Sequence, residues 1–473
     1  MDFLGKYEFK RDIFNEVTDA IQKTNTVFLT GPRKCGKTVC LKQIDDESDN
    51  TKYVNFKIVD DKQSRVIFEN ICESIQKNED IVYLLDEITY AFSPEREIYR
   101  IADALTDVLD SKTKIVFTGS QSAALESWAN RAFCGYNATI IKADFLNYAE
   151  WLRYIGEKQA NEENYKDFLY HANRFYGSIP LEEYLSGCLE ETIISNAKTT
   201  NYIVGNECDE LDTQLLIDVC YAILFTLHNH VSAKTFFSGN KLIEDIRYFF
   251  PQVDDFEEPL QDLIQISFIG SHAGVRKMSL EEVKQAVLFL YRCGLITVTP
   301  VTADLDNVPN VYKGLYSDSD FIKKKEDLFA KYNFSIAYPH FYIQVLRSIL
   351  HDTVPDKLPH SLIGSINECY IRGILPQKEC FEYHNIENGD AEVDYVNLRE
   401  NSAVEITISN KKISKTHFSI LPEQLTKVLL SKDIRCIQNG IVRIPFYEFA
   451  ELCTTRKNVP FLLKIKEVER NMQ

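Results

Sequence analysis

Short apolar runs alternate with segments of helical periodicity over the first 143 residues. Residues 12–22 place their large apolar side chains on one stripe, which predicts an amphipathic helix. Further apolar runs predict strands at 27–30, 53–57, 81–85, 114–118 and 139–141. Strands that are apolar throughout and separated by helices predict a parallel sheet covered on both faces, which is the architecture of an α/β domain.

The pattern changes beyond this region. Helical periodicity runs from residue 149 to about 198 and is interrupted by the turn sequence GSIP at 177–180. A second helical region, 211–301, ends with a helix capped by Ser279 and Glu282 and then a β-rich stretch, which favours a winged helix-turn-helix. Farther on, a helical stretch and three β-rich pieces are predicted at 362–372, 393–398, 404–409 and 440–445.

These changes divide the chain into five predicted regions. The first is a nucleotide-binding core, and the others are a helical lid, a winged-helix-like domain, a polar connecting region and a C-terminal αβ domain. Their bounds are 1–145, 146–205, 206–303, 304–359 and 360–473.

The sequence GPRKCGKT at 31–38 fits the P-loop pattern G-x-x-x-x-G-K-[ST], with a β-rich run before it and a helical pattern after it. In this setting the backbone amides of the loop and the helix N-terminus cradle phosphates. Lys37 is expected to reach the β and γ phosphates of ATP, and the Thr38 hydroxyl is expected to ligate Mg²⁺. The predicted nucleotide-binding residues are Gly31, Pro32, Arg33, Lys34, Cys35, Gly36, Lys37, Thr38 and Val39.

Two strand ends carry the residues expected to complete an ATPase site. Asp86 and Glu87 follow the buried run IVYLL, where Asp86 would hold Mg²⁺ through water and Glu87 would act as the base for the attacking water. Ser120 follows the next strand and is a candidate sensor of the γ phosphate. Arg131 is a candidate transition-state cation; the alternatives are an exposed helix arginine and an arginine supplied by another subunit of a homo-oligomer.

The motifs GPRKCGKT, YLLDE, FTGSQSAAL, DFLNYAEWL and YGSIP, in this order and spacing, resemble a family of AAA-type P-loop ATPases. The family was first described as predominantly archaeal, is now recognised widely in bacteria, and usually carries a C-terminal domain of unknown function similar to the PD-(D/E)xK restriction-endonuclease-like fold. The resemblance implies a five-stranded ATPase sheet, a helical lid, a winged helix and an αβ nuclease-like module. It also places Pro180 near the nucleotide base, although Ser178 stands where relatives have a second glycine.

In the C-terminal domain the same resemblance assigns Asp394 and Glu405 to a Mg²⁺ site and Glu368 to the acidic position of the leading helix. Thr407 stands at the position of the usual lysine, and a hydroxyl supplies no charge to stabilise a leaving oxyanion. If the strand continued, Lys411 and Lys412 would lie roughly 13 to 17 Å from position 407, so either could reach the site only through a turn. Degraded chemistry on a retained fold is therefore the alternative to an active nuclease.

Composition narrows the cellular setting. The formal net charge is −17, yet residues 360–473 carry equal numbers of acidic and basic residues, so the C-terminal region is not excluded from contacting phosphates. Scattered cysteines, no secretory pattern at the N-terminus and no long apolar run predict a cytoplasmic protein without membrane insertion.

Three functions stay open from the sequence. They are an ATP-hydrolysing switch that controls the distal modules, an ATP-regulated nuclease, and an ATP-gated module that binds DNA or protein without catalysis.

Overall fold

The structure is a computed structural model of the chain. It describes residues 8–32, 34–91, 111–119, 138–171, 296–302, 332–336, 360–376, 380–385, 391–412, 421–455 and 459–472, together with positions 101, 104, 125, 126, 128–130, 133 and 418. Within these residues the chain divides into two compact units. The first contains the chain up to Leu146, and the second contains Asn147–Asn173 and the chain from Ile296 onward.

The first unit is built on a five-stranded sheet in the order β2-β3-β4-β1-β5, in which every pair of neighbours is parallel. This confirms the predicted α/β domain with a parallel sheet. The strands are β1 Thr26–Thr30, β2 Thr51–Asn55, β3 Val82–Asp86, β4 Lys114–Thr118 and β5 Ala138–Lys142, and the helices are α1 Asp12–Lys23, α2 Lys37–Asp46 and α3 Asp61–Gln76. Short 3-10 helices follow β2 and β3 at Phe56–Ile58 and Ile88–Ala91.

An aromatic cluster forms the core on one face of this sheet. Phe28 of β1 stacks on Phe117 of β4 with ring centroids 5.0 Å apart, and Trp128 meets the two rings edge-on at 5.4 and 4.8 Å. Because β1 and β3 are buried along their whole length, the sheet is covered on both faces, as continuous apolar strands require.

The second strand begins and ends two residues earlier than the sequence predicts. The run 53–57 looks uniformly suited to a strand, but the Asn55 side chain accepts a hydrogen bond from the Lys57 amide at 2.9 Å and starts a 3-10 turn. Asn55 thereby ends the strand beside Asp86, its register partner on β3.

The second unit contains a mixed eight-stranded sheet in the order β12-β13-β11-β10-β9-β8-β6-β7. Its strands are β6 Ile296–Thr302, β7 Tyr332–Ile336, β8 Cys380–Asn385, β9 Ala391–Asn397, β10 Ser402–Glu405, β11 Thr426–Ser431, β12 Cys436–Gln438 and β13 Ile441–Pro445. Its helices are α4 Tyr148–Ile155, α5 Glu162–His171, α6 His360–Ile374, α7 Phe446–Thr455 and α8 Phe461–Met472.

The membership of this sheet differs from the regions drawn on the sequence. Strand β6, expected to be the wing of a winged helix, pairs with β7 and β8, and β7 itself lies in the region expected to be a connection. The helices of the expected winged helix fall outside the described residues, so that domain stays a prediction.

Helices α4 and α5, which the sequence assigns to a lid, pack on α6 and α7 in the second unit. The Tyr148 amide at the start of α4 donates to the Tyr370 hydroxyl at 2.8 Å, and the Tyr165 hydroxyl donates to Asn367 Oδ1 at 2.7 Å. The ring of Tyr165 also lies 5.3 Å from that of Phe446. These contacts make α4 and α5 part of the core of the second unit. Among the described helices, none is long and apolar enough to cross a bilayer.

Candidate functional site

The loop between β1 and α2 has the backbone that the P-loop pattern requires. Gly31 and Gly36 have φ of +133° and +96°, values that side chains other than hydrogen rarely allow. A Cβ atom on Gly31 would lie 3.0 Å from the carbonyl carbon of Ala143 and closer still to its oxygen. The loop therefore passes directly against the chain after β5, and only glycine fits there.

The Lys37 side chain lies inside this loop. Its Nζ donates to the carbonyl oxygens of Gly31 and Pro32 at 2.7 and 2.8 Å and lies 3.8 Å from Cys35 Sγ. Only 6% of Lys37 is exposed, so its ammonium group lies inside the loop and is shielded from solvent. A buried cation bounded by a helix N-terminus is suited to an anionic group.

Arg11 supports the loop from outside, and sequence reasoning missed it. Its Nη1 donates to the carbonyl oxygens of Cys35 at 2.6 Å and Asp144 at 2.7 Å, and its Nη2 donates to that of Phe145 at 3.0 Å. The guanidinium is buried and joins the P-loop backbone to the segment that follows β5. The basic pair Lys10 and Arg11 before a helix gave no signal of this role, because the partners of Arg11 are backbone atoms far along the chain.

Asp86 contacts the helix that follows the P-loop. Its carboxylate, at the end of β3, accepts hydrogen bonds from the Thr38 hydroxyl and from the Tyr53 hydroxyl, the latter at 2.8 Å. Burial raises the pKa of Asp86, while these two hydroxyls and nearby Lys37 act in the opposite direction. Thr38 and Asp86 thus place two oxygen ligands of the kind that Mg²⁺ prefers side by side.

Glu87 follows directly and adopts a left-handed conformation with φ of +52°. A non-glycine residue with this φ carries backbone strain, which is common at functional positions. Two buried hydroxyls lie at the ends of neighbouring strands: Thr118 follows Phe117, the β4 register partner of Leu85, and Thr89 lies in the turn after β3. Neither has a hydrogen-bond partner among the described residues.

The candidates Arg33, Ser120, Arg131 and Pro180 lie outside the described residues.

The second unit gathers the other predicted residues around a buried arginine. Arg372 of α6 donates to Glu382 at 2.8 Å, to Glu368 at 2.7 Å and to Asp394 at 3.5 Å. Burial raises the pKa of Asp394 well above its usual value, and Glu405 and Glu368 add to this effect while Arg372 opposes it. Glu368 and Arg372 are four residues apart on one helix, a spacing that was readable in the sequence as an ion pair.

Lys411 reaches Glu405 although the two are six residues apart. Its Nζ lies 2.6 Å from Glu405 Oε1. The expected strand at 404–409 is wrong from Ile406 onward, because β10 ends at Glu405 and the chain bends at Ile408 and Ser409. The chain therefore makes the turn after Glu405 that Lys411 needs to reach this carboxylate.

Two side chains hold this turn. Arg443 Nη2 donates to the Lys411 carbonyl oxygen at 2.9 Å, and Asn410 Nδ2 donates to Asp433 Oδ1 at 2.7 Å. Thr407, which the family resemblance aligns with a lysine, shares a hydrogen bond with the Ser409 hydroxyl at 3.0 Å.

The carboxylates of this cluster are not grouped as a metal site. Within the described part of the chain, no set of three or more His, Cys, Asp or Glu side chains is arranged to hold a metal ion. The guanidinium of Arg372 already supplies positive charge to Asp394 and Glu368. Asp394 Oδ2 also accepts a hydrogen bond from the Ile406 amide at 2.6 Å, which fixes the end of β10.

A comparison with protein families matches most of the first unit and also α4 and α5 of the second unit. A family model described as an AAA domain matches residues 23–189. No curated protein matches the chain.

Several solved structures are similar to this chain at low identity. The Walker-type ATPase of Pyrococcus abyssi is 11% identical over 72% of this chain and 96% of its own, with a TM-score of 0.38. The ORC2 protein of Aeropyrum pernix, in ADPNP and ADP complexes, is 11% identical over 74% and 96%, with a TM-score of 0.35. AMPPCP-bound DnaA from Aquifex aeolicus is 13% identical over 68% and 94%, with a TM-score of 0.25.

Likenesses at these scores carry no functional information about this chain. The family match, together with the parallel sheet and its P-loop, identifies an AAA-type P-loop ATPase domain within residues 23–189.

Proposed function

We propose that the first unit binds Mg·ATP and hydrolyses it, and that the nucleotide state controls the second unit as a molecular switch. The observation that carries the catalytic part is the meeting of Thr38 and Asp86 beside the buried ammonium of Lys37. These residues come from two separate motifs, 48 positions apart in the chain, and a chance glycine turn would not bring them together.

The residues of the site have distinct roles in this proposal. The backbone N–H groups between Gly31 and Thr38, which Pro32 lacks, would hold the phosphates, and Lys37 would exchange its carbonyl partners for the β and γ phosphate oxygens. Thr38 and Asp86 would hold Mg²⁺, which supplies charge neutralisation at the phosphates. Arg33, Lys34, Cys35 and Val39 would contribute backbone contacts to the nucleotide.

Glu87 would accept a proton from the attacking water. Its position directly after the buried Asp86 supports this role, since a base must lie within hydrogen-bond reach of water beside the γ phosphate. Ser120 would sense the γ phosphate and Pro180 would lie near the nucleotide base. Arg131, or an arginine from a second copy of the chain, would supply the transition-state cation.

The test is steady-state ATP hydrolysis by the purified chain and by Glu87→Gln. We expect the substitution to lower kcat by about 100-fold or more while ATP affinity stays close to that of the wild type, because only proton transfer is removed. The control is Glu79→Gln, an acidic residue elsewhere in the same unit, which should retain full activity. Turnover that survives Glu87→Gln would exclude Glu87 as the base.

A second candidate function is a Mg²⁺-dependent nuclease in the second unit. The contact between Lys411 and Glu405 favours a nuclease, because it places a cation beside the carboxylate of Glu405. The hydroxyl of Thr407 cannot supply such a charge. The ion pairs of Arg372 favour the opposite, since Asp394 and Glu368 would have to leave this guanidinium to bind a metal. We therefore propose that the module is catalytically inactive and contacts DNA or a protein partner.

Nuclease activity is tested with supercoiled plasmid and single-stranded DNA in the presence of Mg²⁺. We expect no cleavage by the wild-type chain, with or without ATP. Magnesium-dependent cleavage that is lost in both Asp394→Ala and Lys411→Met, and retained in Lys412→Met, would instead establish the nuclease and assign the displaced lysine.

A further inference from the structure

The Asp86 carboxylate has a neighbour that the P-loop and acidic motifs do not include. Tyr53 lies on β2, where its register partner on β3 is Leu84, two residues before Asp86. Side chains two positions apart on a strand share a face, so Tyr53 and Asp86 are diagonal neighbours on the same face of the sheet. A tyrosine is long enough to span this diagonal, and its hydroxyl donates to Asp86 Oδ2 at 2.8 Å.

The ring of Tyr53 is held in place from two sides. Its backbone is paired to β3 along the strand, and Lys42 Nζ of α2 lies 5.8 Å from the ring centroid. Helix α2 begins at Lys37 and Thr38, so the same helix that carries the P-loop residues also covers Tyr53.

The carboxylate itself is confined. Asp86 is 1% exposed and accepts hydrogen bonds from two hydroxyls that come from different elements, Thr38 of α2 and Tyr53 of β2. A carboxylate bound by one hydroxyl alone could rotate about its terminal torsion, whereas two donors in different directions restrict that rotation.

We propose that Tyr53 is a positioning residue for the magnesium-binding carboxylate of Asp86. This inference rests on the proposed Mg·ATP binding. In this proposal Tyr53 does not itself ligate the metal; its hydroxyl fixes Asp86 Oδ2 so that the carboxylate keeps the orientation that the metal shell requires. Outer-shell partners of this kind change metal affinity by about 10-fold to 100-fold when they are removed.

The test compares Tyr53→Phe with Tyr83→Phe. The second variant is a matched control, because Tyr83 is also a sheet tyrosine in this unit and its hydroxyl makes a hydrogen bond at 2.9 Å to Ser74 and none to Asp86. A fluorescent ATP analogue is titrated into the full chain and both variants, first with Mg²⁺ and then with EDTA, and melting temperatures are recorded.

We expect Tyr53→Phe to bind the analogue in EDTA as the wild type does, within about twofold, and to require an about 10-fold higher Mg²⁺ concentration for the tighter binding. Tyr83→Phe should behave as wild type in both titrations. An unchanged Mg²⁺ requirement in Tyr53→Phe would overturn the inference, and so would an equal loss of affinity with and without Mg²⁺. A wild-type chain that binds no analogue would instead refute the proposed function.

Discussion

Replacement of Gly31 by alanine tests whether the close approach of the P-loop to the chain after β5 is needed for nucleotide binding. The added Cβ would lie 3.0 Å from the Ala143 carbonyl carbon and 3.2 Å from the Ala143 Cβ, with the carbonyl oxygen nearer still. Carbon atoms in contact normally lie about 3.5–4.0 Å apart, so the loop must move by about 1 Å. A φ of +133° adds backbone strain of about 1–3 kcal/mol.

A displacement of this size in a site that depends on aligned amides is expected to weaken ATP binding by about 100-fold. Gly156→Ala is the matched control, because Gly156 also has a positive φ, +78°, and nothing lies within 4 Å of its added Cβ. This control adds strain without a clash, so it should lower stability by about 1–2 kcal/mol and leave ATP affinity unchanged. Affinity is measured by calorimetry, and equal ATP affinities in the two variants would refute the reasoning.

The remaining predictions concern the second unit. Arg372→Met leaves buried Asp394 without its cation and should lower the unfolding free energy by about 3–5 kcal/mol at neutral pH. The pKa of Asp394 is raised in the folded state, so protonation at lower pH removes the unfavourable buried charge. The loss of unfolding free energy in Arg372→Met should therefore shrink as pH falls. Denaturant titrations that show the same loss at every pH would contradict this prediction. Tyr370→Phe removes the acceptor of the buried Tyr148 amide and should lower the unfolding free energy by about 1–3 kcal/mol. Tyr447→Phe is the control and should change it little, and thermal melts of both variants measure the difference.

The P-loop and the acidic strand end could be predicted because each is a local pattern with its own flanking elements. Thr38 and Asp86 each follow from a short motif, and the parallel order of the sheet then brings them to one edge. The predicted strand at 114–118 agrees with β4 for the same reason, because an uninterrupted β-rich run of residues marks both its length and its burial.

Tyr53 and Arg11 could not be predicted from local patterns. The role of Tyr53 depends on the register of β2 against β3, and a shift by one residue would turn its side chain to the opposite face. Arg11 binds backbone carbonyls that lie 24, 133 and 134 residues away. A local sequence pattern cannot predict contacts over such separations.

The C-terminal sheet shows a different limit. Strand β6 is separated from its partner β8 by more than 70 residues, so its apolar run was assigned to the nearest plausible neighbour, a winged helix. The turn after Glu405 was missed because ITIS has high strand propensity, while the hydrogen bond from the Ile406 amide to Asp394 and the contacts of Arg443 end the strand there.

The central claim is that Lys37, Thr38 and Asp86 form a site for a magnesium-bound nucleotide, and the most direct measurement is calorimetric titration of ATP into the purified full chain with Mg²⁺ and with EDTA. The account predicts saturable binding that is tighter in Mg²⁺, with the gain from Mg²⁺ lost in Asp86→Asn and all binding lost in Lys37→Ala. Absence of binding by the wild-type chain in Mg²⁺ would contradict it.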